Sequence, residues 1–95
     1  MDKLDFTGYN IPKHTQGALI RWVDEGLYPG GFLESVLSND LFGAIGQADR
    51  QNIVALKDIV MFIYNQVPSN AWGSREKMQN YAAKFFYDRL DSTAE

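Results

Sequence analysis

Turn-forming residues divide this chain into short stretches whose apolar residues recur at helical spacing. The strongest break is Tyr28-Pro29-Gly30-Gly31, which no regular element should cross. Before it, Leu19, Val23 and Leu27 lie four residues apart, which predicts a helix over about 12–25. No two stretches have the alternating pattern of paired strands. The chain is therefore expected to be all-α, a compact single-domain bundle of about five short helices.

Residues at the ends of the stretches predict where the helices begin and end. Asn10-Ile11-Pro12 offers a capping side chain and a first-turn proline, and Gly26 stands where that helix would end in the left-handed conformation. Asp49 and Ser74 are expected to cap the last two helices. Pro68 should stop the helix before it.

Four more helices are expected after the turn. Gly43 and Gly46 weaken the second of them by about 1 kcal/mol each relative to alanine, so it should be short or distorted. The predicted buried faces, in chain order, are Phe32, Leu33, Val36 and Leu37; Leu41, Phe42 and Ile45; Ile53, Leu56, Val60, Ile63 and Val67; and Met78, Tyr81, Ala82 and Phe85.

The ends of the single domain, residues 1–95, lack this periodicity. Residues 1–9 are read as an N-terminal arm whose Leu4, Phe6 and Tyr9 either dock onto the body or stay mobile, and residues 91–95 as a frayed tail. The stretch from Ile59 to Tyr64 is apolar on every side. A helix there would leave one apolar side for a protein partner or a second copy of the chain to cover.

Composition excludes several classes of protein. With no cysteine there is no disulfide framework and no thiolate metal site. There is no run of 18 uncharged apolar residues, and the N-terminus lacks the order of a signal peptide. We therefore expect a cytoplasmic protein with no membrane span, no metal and no cofactor.

The chain offers no catalytic constellation. Its one histidine, His14, has Thr15 beside it and Asp24 well downstream, which makes a poor triad. Asp24 and Glu25 are helix neighbours that point to different sides, so they do not form a paired acid and base. The expectation is a protein that is not an enzyme.

Phosphate binding at Gly30-Gly31 is the third candidate function, after protein binding and nucleic-acid binding. The turn could aim backbone amides at an anion, but no P-loop residues follow it, and Glu34 would repel a phosphate. A nucleotide-sequestering protein of this kind would need Arg75 or Lys77 to converge on the turn.

Nucleic-acid binding is the second candidate function, after protein binding. Helices over 32–37 and 41–48 could form a helix-turn-helix. However, the second of them and its flanking residues offer Gln47 and Arg50 beside Asp40 and Asp49 rather than a basic stripe, and the chain has 12 acidic against 9 basic residues. Direct binding to DNA or RNA is therefore disfavoured.

Protein binding is the preferred function, because aromatic residues make up 14% of the chain and several do not follow the helical spacing of the predicted core residues. Phe85, Phe86 and Tyr87 are consecutive on a helix and cannot all face one core. Phe86 and Tyr87 are therefore expected at an oligomer interface, which makes the protein a candidate homo-oligomer.

A binding surface for a different protein is expected at the junctions, where polar side chains and loop aromatics cluster. In the alternative interpretation, Ser38 to Asp40 only cap a helix and Trp72 only closes the core. The candidate residues are Tyr28, Pro29, Gly30, Ser38, Asn39, Asp40, Asn65, Trp72 and Arg75.

Three segments carry a resemblance to a known group. Pro29-Gly30-Gly31-Phe32-Leu33, Val36-Leu37-Ser38-Asn39-Asp40-Leu41 and Trp72-Gly73-Ser74 with Glu76-Lys77 are similar to segments of small proteins of tailed phages and prophages. The likeness covers about residues 11–77. It implies a phage accessory protein in the host cytoplasm that binds and modulates a host or defence protein, and it assigns no catalytic or binding residue.

Overall fold

A computed structural model of the chain describes residues 4–94, with side chains described from Leu4 to Asp88. Over this range the chain forms helices and no strand, so the all-α prediction is confirmed. The predicted frayed tail, residues 91–95, lies outside the range whose side chains are described. The elements are α1 Lys13–Glu25, α2 Gly31–Leu37, α3 Leu41–Gln47, α4 Arg50–Val54, α5 Leu56–Gln66, a 3-10 helix Ser69–Ala71, and α6 Arg75–Ala94.

Most helix ends lie at the residues that the sequence predicts. Gly26 ends α1 with φ 68°, in the left-handed region. The Asp49 carboxylate accepts from the Asn52 amide at the start of α4, and the Ser74 hydroxyl accepts from the Lys77 amide at the start of α6.

The predicted cap of α1 is wrong. Pro12 itself occupies the cap position, and no side chain caps the helix. The backbone N–H of Asn10 instead donates to the carboxylate of Asp58 on α5, 2.9 Å away. This bond helps to fix the N-terminal arm against α5.

Trp22 lies at the centre of the core, although the predicted face of α1 did not include it. Its side chain is fully buried, and its indole N–H donates to the carbonyl of Ala71 at 3.1 Å. The buried face of α1 follows a mixed spacing of three and four through Thr15, Ala18, Leu19 and Trp22. Leu27, which shares the four-residue spacing of Leu19 and Val23, is exposed, because it follows Gly26, where the helix has ended.

The single helix predicted to carry Ile53, Leu56, Val60, Ile63 and Val67 is two helices. The chain breaks at Ala55, which ends α4 and precedes α5. The core side of α5 is formed by Ile59, Phe62 and Ile63. Ile53 and Val60, predicted to face the core, are exposed.

The N-terminal arm docks onto α5 through its aromatic residues. The Phe6 ring stacks on Phe62 with centroids 4.3 Å apart, and Tyr9 meets the same ring edge-on at 5.2 Å. The side-chain amide of Asn65 donates to the Tyr9 hydroxyl at 3.1 Å. The docked alternative is therefore the one observed for residues 4–9.

Besides the Trp22–Ala71 bond, two polar contacts of buried or half-buried hydroxyls connect α1 to later helices. The buried Thr15 hydroxyl donates to the side-chain oxygen of Asn52 on α4 at 2.6 Å. The Tyr81 hydroxyl on α6 donates to the carbonyl of Val23. Burial raises the pKa of Tyr81, and the charge of Asp24 raises it further.

No helix among the described residues combines the length and the apolar character needed to cross a membrane.

Candidate functional site

Three of the predicted site residues, Ser38, Asn39 and Asp40, lie in the turn between α2 and α3. Asn39 takes up the left-handed conformation at φ 67°, and the Asp40 amide donates to the Ser35 carbonyl at 2.7 Å, as in a Schellman motif. The Asp40 carboxylate then accepts from the Gly43 amide at 3.0 Å and caps α3. Ser38 donates to the Ser35 carbonyl. Each of these three residues therefore has a structural role in the turn.

The loop before α6 lies against this turn. The Gly73 amide donates to the carbonyl of Leu37, the last residue of α2, at 2.6 Å. The Trp72 indole N–H donates to the Val67 carbonyl at 3.2 Å, and its ring centroid lies 6.0 Å from that of Tyr64. Trp72 is thus held, half-buried, between the end of α2 and the outer side of α5.

These elements enclose a groove of about 260 Å³ between α3 and α5, which we call the α3–α5 groove. Its volume is just below the range of about 300–1,000 Å³ that is usual for small-molecule pockets. The lining is apolar except for two residues at the α2–α3 turn. It consists of Val36, Asn39, Asp40, Leu41, Ala44, Leu56, Val60, Ile63, Tyr64 and Trp72.

The two walls of the groove leave large apolar side chains in water. Leu41 on α3 is 60% exposed, and on α5 Val60 is 46% and Tyr64 is 70% exposed. Single exposed apolar residues are ordinary, but here they converge on one concavity that has apolar residues at its base. The arrangement presents an apolar surface that another molecule can cover.

The polar end of the groove is acidic. One carboxylate oxygen of Asp40 accepts a hydrogen bond from the backbone N–H of Gly43. The other carboxylate oxygen accepts no hydrogen bond from a described residue. Asn39 lies beside it. The groove therefore offers an apolar channel with a carboxylate at one end.

The predicted binding residues do not form one surface. Asn39, Asp40 and Trp72 line the α3–α5 groove. Asn65 is engaged with Tyr9 of the arm, and Arg75 is exposed at the start of α6 without lining the groove.

Tyr28, Pro29 and Gly30 lie elsewhere. The exposed Tyr28 ring packs 5.2 Å from Trp22. Pro29 and Gly30 line a separate hollow of about 310 Å³, together with His14 and Arg21.

This second hollow does not meet the condition for nucleotide binding through the Gly30-Gly31 turn. Arg75 and Lys77 are not among its lining residues. The Gly30 amide already donates to the Glu34 carboxylate at 3.3 Å, so a carboxylate occupies the place of an anionic ligand. An incoming phosphate would have to displace it.

The groups that could support catalysis are not assembled. His14 pairs with Asp49 at 3.3 Å, and both side chains are more than half exposed. The neighbouring Thr15 hydroxyl is directed to Asn52 instead of to His14. Among residues 4–88, no group of three potential ligands could hold a metal ion.

The helix pair predicted as a helix-turn-helix exists as α2 and α3, but its second helix has no basic face. Leu41, Phe42 and Ile45 are its exposed large side chains. In a recognition helix these residues would enter the major groove of DNA, where polar and basic side chains are needed to contact the base edges. The surface of α3 therefore fits an apolar partner better than a nucleic acid.

Sequence reasoning did not predict the seven other lining residues of the groove, which include the exposed Leu41, Val60 and Tyr64. The helical spacing of the sequence predicts that Leu41 and Val60 face the core. The available signal was the stretch from Ile59 to Tyr64, which is apolar all round. One side of it faces the core, and Val60, Met61 and Tyr64 on the other side are exposed.

Comparison with protein-family models, curated proteins and solved structures finds no significant match to this chain.

Proposed function

We propose that this protein acts by binding another protein, which inserts an apolar segment into the α3–α5 groove. The observation that carries the proposal is the convergence of exposed Leu41, Val60 and Tyr64 on one concavity. Covering apolar surface is favourable by about 25 cal/mol per Å². Aromatic side chains such as Tyr64 and Trp72 are common anchors of protein interfaces.

The chemistry of the groove defines the segment it would accept. An amphipathic helix with apolar residues at spacings of three and four fits a channel between two helices. A lysine or arginine near its end would meet Asp40, and the net charge of -3 on the chain favours the approach of a basic segment. The partner we propose is therefore a protein with a basic, amphipathic helix.

The resemblance of three sequence segments to small phage proteins supports the proposal that this partner is a protein of a host cell. Under this proposal the protein is a non-enzymatic accessory protein that modulates a host or defence protein. Nucleic-acid binding is the second candidate, and the apolar exposed face of α3 argues against it.

Two valines provide a matched test. Val60 lines the groove, whereas Val54 on α4 is 78% exposed and lies outside it. Neither side chain is buried, so Val60→Asp and Val54→Asp should both fold. We expect Val60→Asp to weaken partner binding at least ~10-fold, because it places a charge in the desolvated centre of an interface, and Val54→Asp to leave it unchanged.

The experiment is affinity capture from bacterial lysate with the wild type and both variants, followed by titration of the purified partner. Circular dichroism checks that all three proteins fold. Equal binding by the two variants would show that the groove is not the contact surface. Recovery of nucleic acid in place of a protein would favour the second candidate.

A further inference from the structure

We propose that the second hollow, between α1 and the Pro29-Gly30 turn, binds a small organic carboxylate. Arg21 pairs with the carboxylate, and the side-chain amide of Asn52 donates to a second oxygen of the same ligand. This hollow, which we call the α1–α2 hollow, shares no lining residue with the α3–α5 groove. The inference therefore does not rest on the proposed function.

The α1–α2 hollow has the size and the mixed walls of a small-molecule site. Its volume of about 310 Å³ is at the lower end of the range of about 300–1,000 Å³ that is usual for such sites. Ala18, Phe32 and Leu33 are buried and give the hollow an apolar side. Because a few polar groups orient the ligand in sites of this kind, the polar residues of the hollow decide which ligand it accepts.

Asn52 brings an unpaired donor to the hollow. This residue of α4 is only 6% exposed, and its Oδ1 accepts from the Thr15 hydroxyl at 2.6 Å. Its Nδ2 donates to no acceptor among the described residues, yet every fully enclosed side-chain nitrogen or oxygen of those residues has a partner. Nδ2 is therefore open to solvent, and the hollow that Asn52 lines is its opening. A ligand oxygen there would give this buried amide the acceptor that it lacks.

Arg21 supplies the charge that a carboxylate would meet. It is the one lysine or arginine that lines the hollow. Its guanidinium lies along α1, with Nη1 3.3 Å from the position that a β-carbon on Gly17 would occupy. The one ion pair among the described side chains joins His14 and Asp49, so no described carboxylate neutralises Arg21. A guanidinium can bind a carboxylate through two parallel N–H groups.

The acidic groups near the hollow are already engaged. Asp49 is its one acidic lining residue; one carboxylate oxygen accepts from the Asn52 backbone N–H at 2.7 Å, and the other faces Nε2 of His14 at 3.3 Å. The Glu34 carboxylate accepts from the Gly30 amide. The anionic group of the ligand is therefore placed at Arg21 and not at the Gly30-Gly31 turn.

The positions of the two donors set the length of the ligand. Thr15, Ala18 and Arg21 follow one another at a spacing of three on α1, a rise of about 9 Å from the first residue to the last. Asn52 is bound at the Thr15 end of this row, and the short side chain of Ala18 leaves space in the middle. A ligand that reaches both donors is thus longer than acetate or phosphate. A carboxylate that also carries amide oxygens, as a capped dipeptide does, has the required chemistry.

Titration of the ¹⁵N-labelled full chain with N-acetyl-L-alanyl-L-alanine, followed by NMR, tests the proposal. We expect saturable shifts of the Asn52 side-chain NH₂ signal and of the Ala18 and Gly31 backbone signals at concentrations up to about 10 mM. The same dipeptide with a neutral C-terminal amide should bind at least ~10-fold more weakly, because it cannot form the ion pair with Arg21.

Two arginine variants provide the matched comparison. Arg21 and Arg75 are both exposed, and Arg75 does not line the hollow. Arg21→Gln should weaken binding of the dipeptide at least ~10-fold, and Arg75→Gln should leave it unchanged. The dispersion of each spectrum shows that the variant is folded. An Asn52 side-chain signal that does not move, equal binding of the neutral dipeptide, or equal binding by the two variants would each overturn the proposal.

Discussion

At the scale of single residues, the side chains that matter most for the fold are those that join α1 to the rest of the molecule. Trp22 fills the centre of the core and reaches the loop before α6 through its indole N–H. Tyr81 reaches the opposite way, from α6 to the carbonyl of Val23 near the end of α1. These contacts join residues that are 49 and 58 positions apart in the sequence.

The raised pKa of Tyr81 predicts a loss of stability in alkali. Above the ordinary tyrosine pKa of about 10, an unfolded chain releases this proton while the folded chain retains it. The unfolded state then binds fewer protons, so the free energy of unfolding must fall as pH rises. The contribution is fully present below pH ~10 and is lost as pH rises through the folded-state pKa.

Urea unfolding of the wild type and Tyr81→Phe between pH 8 and 11 measures this loss. At pH 8 the variant should be less stable by about 1 kcal/mol, the net value of one hydrogen bond. Its stability should fall less steeply than that of the wild type above pH 10. Parallel curves for the two proteins would show that Tyr81 is not the responsible group.

Single residues also show why part of the core was not predicted. Leu19, Val23 and Leu27 share a spacing of four, but a helix has 3.6 residues per turn, so such a series drifts around the helix. Trp22 completes the better face with Thr15, Ala18 and Leu19. Sequence spacing alone gave no way to choose between the two faces.

At the scale of elements, helix ends were predicted well because their signals are local. Asp40, Asp49 and Ser74 cap as expected, and Gly26 ends α1. The break at Ala55 was missed because neither glycine nor proline marks it. Its cause is tertiary: Asn52 of α4 is bound to Thr15 of α1, while α5 packs its own face into the core.

Gly26 illustrates how an element end also serves packing. Its φ of 68° disfavours any side chain, and a methyl group there would meet the Phe85 ring at 2.5 Å. We expect Gly26→Ala to destabilise the fold by about 2–4 kcal/mol, from the left-handed backbone and overpacking together.

Gly46→Ala is the matched control. Gly46 lies in α3 with no neighbouring atom within 4 Å of the added methyl group. This variant should gain up to about 1 kcal/mol from helix propensity. Denaturant midpoints measure both changes, and a stable Gly26→Ala protein would contradict the close packing of α1 against α6.

At the scale of the whole molecule, the chain has a core on one side of its helices and exposed apolar residues on the other. The groove walls and the outer face of α6, which carries the exposed Phe86 and Tyr87, are separate surfaces, and we assign the groove to a different protein. The sequence indicated that Phe86, Tyr87 and the stretch from Ile59 to Tyr64 could not all be buried. It could not show that α3 and α5 face each other, because that depends on how the α2–α3 turn and the Trp72 loop pack.

The central claim is that a protein partner occupies the α3–α5 groove, and site-specific photo-crosslinking in bacterial cells tests it most directly. A benzophenone-bearing phenylalanine analogue replaces Tyr64 in one variant and Val54 in another, since both side chains are highly exposed and only the first lines the groove. The account predicts a discrete adduct with a second protein from position 64 and none from position 54. An adduct with nucleic acid, or adducts with a protein from position 54 alone, would contradict it.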